Sequence, residues 1–204
     1  MSERVYLFPG WIRLWHWLNA ALILVLAVTG LSLHFAGPKL PLLGFEQAVH
    51  IHNLCGIALA VTYLFFLIAN ARSGNWRHFL VYGPETRQRL WTQLRWYAWG
   101  IFKGAPHPHD PSPEAPFNVL QALTYAGVMY LLMPVLIGSG IVFLYPELAP
   151  DQLFGFDGLL PIALLHYLAA MALLLFLLTH VYLGTTGRTL GQMFRAMVSG
   201  WHTH

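Results

Sequence analysis

Four apolar stretches, at about 14–36, 51–70, 119–145 and 160–183, constrain this chain more than any other feature. Each is close to or beyond the roughly 20 helical residues that cross a bilayer core. In lipid a spanning segment must satisfy its own backbone N–H and C=O groups, so each stretch is expected to be a helix. The composition agrees, because 9% charged residues and 57% hydrophobic ones lie far from the roughly 25% charged residues of a soluble domain. The expected fold is an all-α membrane protein: a four-transmembrane-helix bundle, with residues 1–204 as a single membrane domain. The first stretch exceeds the roughly 7 to 15 apolar residues of a signal peptide and no small-residue cleavage site follows it, so it is expected to be retained.

Charge sets the expected orientation. Ten of the eleven Lys and Arg residues fall on one side of the spans. Arg4 and Arg13 precede the first span; Arg72, Arg77, Arg87, Arg89, Arg95 and Lys103 lie between the second and third; Arg188 and Arg195 follow the fourth. Only Lys39 lies between the first and second, and the connection from third to fourth carries Glu147, Asp151 and Asp157. By the positive-inside rule both termini and the loop at about 71–117 are expected to be cytoplasmic. Within that loop, Glu85 to Trp99 has helical spacing with Leu90, Leu94 and Tyr97 on one side, which predicts an amphipathic helix in the headgroup layer. The following GAPHPHDPSPEAP reads as a proline-rich connector whose His107 and His109 belong to a solvated loop rather than a metal site. Cys55 is the only cysteine, which excludes an internal disulfide and any Cys-x-x-Cys metal or haem-attachment motif.

Histidine carries the chemistry. Ionisable side chains inside spans are costly and are usually functional, and six of the eleven histidines lie in or at the ends of spans: His16, His34, His50, His52, His166 and His180. His166 and His180 are 14 residues apart, which on a helix is roughly 40° short of four turns and a rise of about 21 Å. They share a face, one near each membrane surface. Topology then matches His16 with His180 at the inner level, and His52, or alternatively His50, with His166 at the outer level. A zinc site would want further thiolate or carboxylate ligands at each level. Haem iron needs two axial ligands from the protein, and its apolar edges suit a bundle core. Two haem b groups fit the inventory. His34 and His50 fit interfacial or propionate-contact roles, and Arg4, Arg13 and Arg188 are candidates to neutralise propionates at the inner level. VTGLSLHF and IGSGIVFLY form a faint internal echo in which Gly30, Gly138 and Gly140 allow close approach.

RLWHWLNA (Arg13 to Ala20), HNLCGIAL (His52 to Leu59) and the pair His166 and His180 resemble the membrane cytochrome b superfamily. That superfamily includes bacterial b561-type proteins and the cytochrome b subunits of nickel-iron hydrogenases, formate dehydrogenases and thiosulfate reductases. The resemblance runs over nearly the whole chain. It implies that His52, four residues before Gly56, is the outer ligand rather than His50. PFNVLQALTY resembles an Asn-x-x-Gln sequence beside the inner haem of the formate dehydrogenase and thiosulfate reductase type. It implies that Asn118 and Gln121 contact quinone, whereas Asn118 read as a residue type alone serves equally as a helix cap.

The resulting expectation is a multi-pass subunit of the bacterial inner membrane that transfers electrons between a periplasmic oxidoreductase subunit and menaquinone or ubiquinone. The partner would hold molybdenum, nickel-iron, iron-sulfur or multihaem centres; membrane lipid is the other partner, and no nucleic acid is expected. No catalytic residue is assigned, since nothing resembles a hydrolytic constellation. The alternatives are a self-sufficient b561-type quinone oxidoreductase and a transporter that uses histidines as a proton relay.

Overall fold

A computed structural model describes residues 4–35, 43–186 and 191–203. Lys39 and Arg188 lie outside the described residues. Four helices are long and apolar enough to cross a membrane. They are α1 (Gly10–His34), α2 (Phe45–Ser73), a third made of α4 (Val119–Gly127), a π-helical turn (Val128–Leu132) and α5 (Met133–Leu144), and α6 (Leu159–Gly184). Between α2 and α4 lies α3 (Thr86–Arg95), and α7 (Gln192–Ser199) follows α6. Only 11 to 22% of each helix's apolar window is buried within the protein, so most of that surface needs lipid around it. The π turn ends two residues before Pro134, which has no N–H to give to the carbonyl four residues back.

The described chain divides into two compact units. The central unit holds Leu14–Ile68 and Leu132–Leu177; the terminal unit holds Met1–Arg13, Ala69–Leu131 and Leu178–His204. Every described Lys and Arg falls in the terminal unit.

In the central unit, α1 meets α2 through the Trp15 indole, which donates to the Thr62 carbonyl at 3.1 Å and stacks on Phe66 at 4.4 Å. Its buried hydroxyls donate to carbonyls four residues back: Thr29 to Val25 and Ser32 to Val28 in α1, Ser139 to Val135 in α5. That is how a span keeps a hydroxyl away from water without leaving it unsatisfied. A short hairpin, β2 (Gln152–Leu153) with β3 (Phe156–Asp157), precedes α6. Phe154 and Gly155 at its tip both have positive φ, 55° and 82°, the signature of a two-residue mirror-image turn.

The terminal unit contains a pairing with no clear signature in the sequence. β1 (Arg4–Tyr6) runs antiparallel to β4 (Trp201–Thr203), with Val5 opposite His202. Tyr6 packs on Trp201 at 5.1 Å, and an Arg13 guanidinium nitrogen donates to the Val198 carbonyl. Gly200 makes the turn into β4 at φ 88°, where a Cβ would stand 2.6 Å from the Tyr6 ring. The amphipathic segment expected over residues 85–99 is α3 followed by a π turn at Trp96–Gly100. Its buried face is led by Gln93 instead of Leu94, which is exposed along with Trp91. An apolar face turned outward is what a helix in a headgroup layer requires.

Candidate functional site

His52 on α2 and His166 on α6 face one another in the central unit, their ring centres 6.4 Å apart and their planes at 68°. Neither ring is loose. Thr29 Oγ1 on α1 is 2.9 Å from His52 Nδ1, and Ser139 Oγ on α5 is 2.8 Å from His166 Nδ1. The next residues, Gly30 and Gly140, pass close: a Cβ on them would lie 3.4 and 3.6 Å from the Cε1 atoms of His52 and His166. Each ring is therefore backed by a hydroxyl and a glycine on a neighbouring helix, and Nε2 is the nitrogen that those hydroxyls do not engage.

The spacing can be tested against a metal between the rings. A histidine nitrogen sits about 2.0–2.1 Å from a bound metal, and the ring centre lies about 1.1 Å further, so two imidazoles on opposite sides of one metal have centres roughly 6.3 Å apart. The 6.4 Å separation matches. Among the described residues there is no cluster of three or more His, Cys, Asp or Glu. A metal held here would need its other ligands from a non-protein group, which a porphyrin provides and a bare zinc ion does not.

The other sequence candidates fall as follows. His50 is exposed. His34 stacks on Tyr167 at 4.8 Å. His16 is half-buried on α1 with Trp17 against its ring, and it belongs to the central unit. His180 belongs to the terminal unit, its Nδ1 3.3 Å from the Tyr125 hydroxyl. Arg4 is exposed on β1, and Arg13 reaches Val198. Asn118 and Gln121 form a capping box at the start of α4: Asn118 Oδ1 accepts from the Gln121 N–H at 2.9 Å, and Gln121 Oε1 accepts from the Asn118 N–H at 3.1 Å. Asn118 Nδ2 also donates to the Tyr97 hydroxyl at 3.2 Å, which leaves the Gln121 side-chain amide N–H groups uncommitted among the described residues.

Thr29, Ser139 and Tyr125 are the contacts that sequence reading missed. For the first two a signal was present, since the echo of VTGLSLHF in IGSGIVFLY aligns Thr29-Gly30 with Ser139-Gly140. The glycines are visible as small residues, but the hydroxyl beside each is the part that touches histidine. Tyr125 lies 55 residues from His180 and carries no such signal.

His107 and His109 fold the connector onto itself. His107 Nδ1 donates to the His109 carbonyl at 2.7 Å, and His109 Nε2 donates to the Ala115 carbonyl at 3.1 Å. Burial pushes the His109 pKa below its ordinary value; His107 and Arg89 act the same way, while the Ala115 carbonyl and Asp110 oppose it. The unfolded connector takes up a proton near pH 6.5, about the free histidine value, and the folded one only at lower pH. The connector is thus at full stability above that pH and loses stability as pH falls through it. Amide hydrogen exchange across Ala105–Phe117 should accelerate between about pH 7.5 and 5.5, after correction for intrinsic rates, and His109→Gln should flatten that dependence. Equal protection at both pH values in the unsubstituted protein would refute this.

Four helices long and apolar enough to span a membrane, with an imidazole pair fastened by hydroxyls among them, define a multi-pass helical membrane protein. Residues 7–200 match the family described as prokaryotic cytochrome b561, and the chain belongs to that family. It is accordingly a haem-binding, electron-transport protein of the bacterial inner membrane. A protein of Escherichia coli (strain K12) named "Putative cytochrome YdhU" is 37% identical over 203 residues, covering 100% of this chain and 76% of that one. Proteins named "Probable Ni/Fe-hydrogenase B-type cytochrome subunit" are also similar. That of Rhodobacter capsulatus is 27% identical over 98% of this chain and 81% of its own length. That of Azotobacter chroococcum mcd 1 is 26% identical over 97% of this chain and 88% of its own.

Proposed function

We propose that this chain is a di-haem b membrane subunit that passes electrons between a periplasmic redox subunit and the quinone pool. The observation that carries the reading is the His52–His166 pair, spaced for one metal-centred group and held with both Nε2 atoms free of the hydroxyls. His52 and His166 bind the outer haem; His16 and His180 bind the inner one. Haem b supplies reversible one-electron exchange at a ligated iron.

The chain's own residues do the rest. Thr29 and Ser139 orient the outer imidazoles, and the Tyr125 hydroxyl meets His180. The exposed apolar faces of the spans keep the path in lipid and exclude water from it. All described cations lie in the terminal unit, which supports placing that unit on the cytoplasmic side. Arg4, Arg13 and Arg188 are then the cations available to propionates there. At the same level, Gln121 offers amide N–H groups to a quinone carbonyl while its Oε1 stays in the capping box.

Electrons that cross inward to reduce quinone with cytoplasmic protons charge the membrane, at about 2.3 kcal/mol per electron per 100 mV. The hydrogenase cytochrome names of the relatives support a partner that carries the substrate chemistry.

Purified protein tests this directly. A dithionite-reduced spectrum should show a b-type α-band at about 560 nm, with two haems per chain, bleached by a quinone analogue. A protein free of that band would refute the haem reading.

A further inference from the structure

The hydroxyls behind His52 and His166 make a second contact that fixes where protons lie. Thr29 Oγ1 is 2.8 Å from the Val25 carbonyl oxygen, and Ser139 Oγ is 2.6 Å from that of Val135. A carbonyl can only accept, and two oxygens this close need a proton between them. Each hydroxyl therefore spends its one proton on the helix backbone, and its oxygen is left to accept. The Nδ1 atoms at 2.9 and 2.8 Å must be the donors. Both rings then carry hydrogen on Nδ1 and a lone pair on Nε2, the form that ligates a metal through Nε2. No water competes, because Thr29 is 0% and Ser139 5% exposed.

We propose that Thr29 and Ser139 are positioning residues that set the tautomer, ring angle and donor strength of the two outer haem ligands. This rests on the haem reading above and deepens it. The bonds cross between helices: α1 steadies the ligand on α2, and α5 the ligand on α6. Each ring is thus oriented by a helix that does not carry it, with Gly30 and Gly140 beside the hydroxyls, where a Cβ would lie at ordinary contact distance from the rings. A neutral hydroxyl accepts more weakly than the carboxylate that often stands behind a metal-bound histidine, so it draws the imidazole only slightly toward imidazolate. Removing it makes the ligand a poorer donor to ferric iron, which moves the midpoint potential in the positive direction.

The test uses the purified, haem-loaded full chain with Thr29→Val and Ser139→Ala, read by redox titration and by electron paramagnetic resonance of the oxidised protein. Both variants should shift the midpoint potential of the same one haem positively and change its low-spin g-values, with the other haem unmoved. Retention of that haem should weaken roughly 10- to 100-fold, as for other partners standing behind a metal ligand. Thr29→Ser and Ser139→Thr, which keep the hydroxyl, should restore unsubstituted behaviour. Should Thr29→Val fail to accumulate, Ser139→Ala decides, since it removes one oxygen and adds nothing.

A role confined to helix packing would lower thermal stability and leave potential and g-values in place; that result overturns the proposal. Shifts in two different haems, or no rescue by the hydroxyl-bearing variants, overturn it too. An unsubstituted protein without a b-type α-band would instead refute the haem reading itself, so the two failures are distinguishable.

Discussion

Alanine at His52 and alanine at His166 are expected to abolish one and the same haem, while alanine at His16 and at His180 abolishes the other. Each single variant should lose about half of the reduced α-band, and the His52→Ala, His166→Ala double variant should lose no more than either alone. The reason is geometric for the first pair, because two rings 6.4 Å apart share one metal-sized gap and either ring alone leaves it half-ligated. For the second pair the reason is the 14-residue interval from His166 to His180 together with the position of His16 near the start of α1. Losses in any other combination would refute the pairing, and a band that survives His52→Ala but not His50→Ala would return the ligand role to His50.

The second large effect concerns backbone. Gly158 lies at the entry to α6, where a Cβ would stand 1.7 Å from the Pro150 carbonyl oxygen. No side-chain rotation relieves an overlap with backbone, so Gly158→Ala must displace the connection and the 3.2 Å bond from the Gly158 N–H to the Asp151 carbonyl. The expected destabilisation is about 3 kcal/mol, the upper range for overpacked sites. Gly155→Ala is the control: its φ of 82° disfavours a side chain, yet nothing stands within 4 Å of the new carbon, so only a backbone cost of about 1–2 kcal/mol applies. Thermal loss of the α-band should rank Gly158→Ala well below Gly155→Ala. Equal midpoints for the two variants would show that the Pro150 contact does not matter.

The spans were readable because lipid imposes one rule on every residue they contain. The expected 119–145 and 160–183 match Val119–Leu144 and Leu159–Gly184 to within a residue. At the first two spans the helices extend beyond the apolar run, because Gly10 to Arg13 and Phe45 to His50 continue the backbone ladder after the lipid constraint ends. The β1–β4 and β2–β3 pairings were not legible. Strands of two or three residues carry no period, and one of the pairs joins segments almost the whole chain apart. The same limit applies to the site. The His166 ring could be placed by counting along one helix, whereas the Ser139 hydroxyl behind it depends on how two helices are rotated against each other. Asn118 and Gln121 show a third case: their spacing suits a capping box as well as a ligand contact, and the bonds at 2.9 and 3.1 Å are those of the cap.

The β1–β4 clasp also bears on how the chain is made. Tyr6 faces Trp201 in the register, so β1 emerges from the ribosome before the four spans described above and its partner only after them. Throughout synthesis the early strand has no mate, and the loop that the clasp closes contains every helix named above. Such a contact forms late, once the intervening chain has been inserted and brought its ends within reach. The clasp therefore acts as a latch on an assembled protein: cutting the chain between α7 and β4 would free the first strand without touching it.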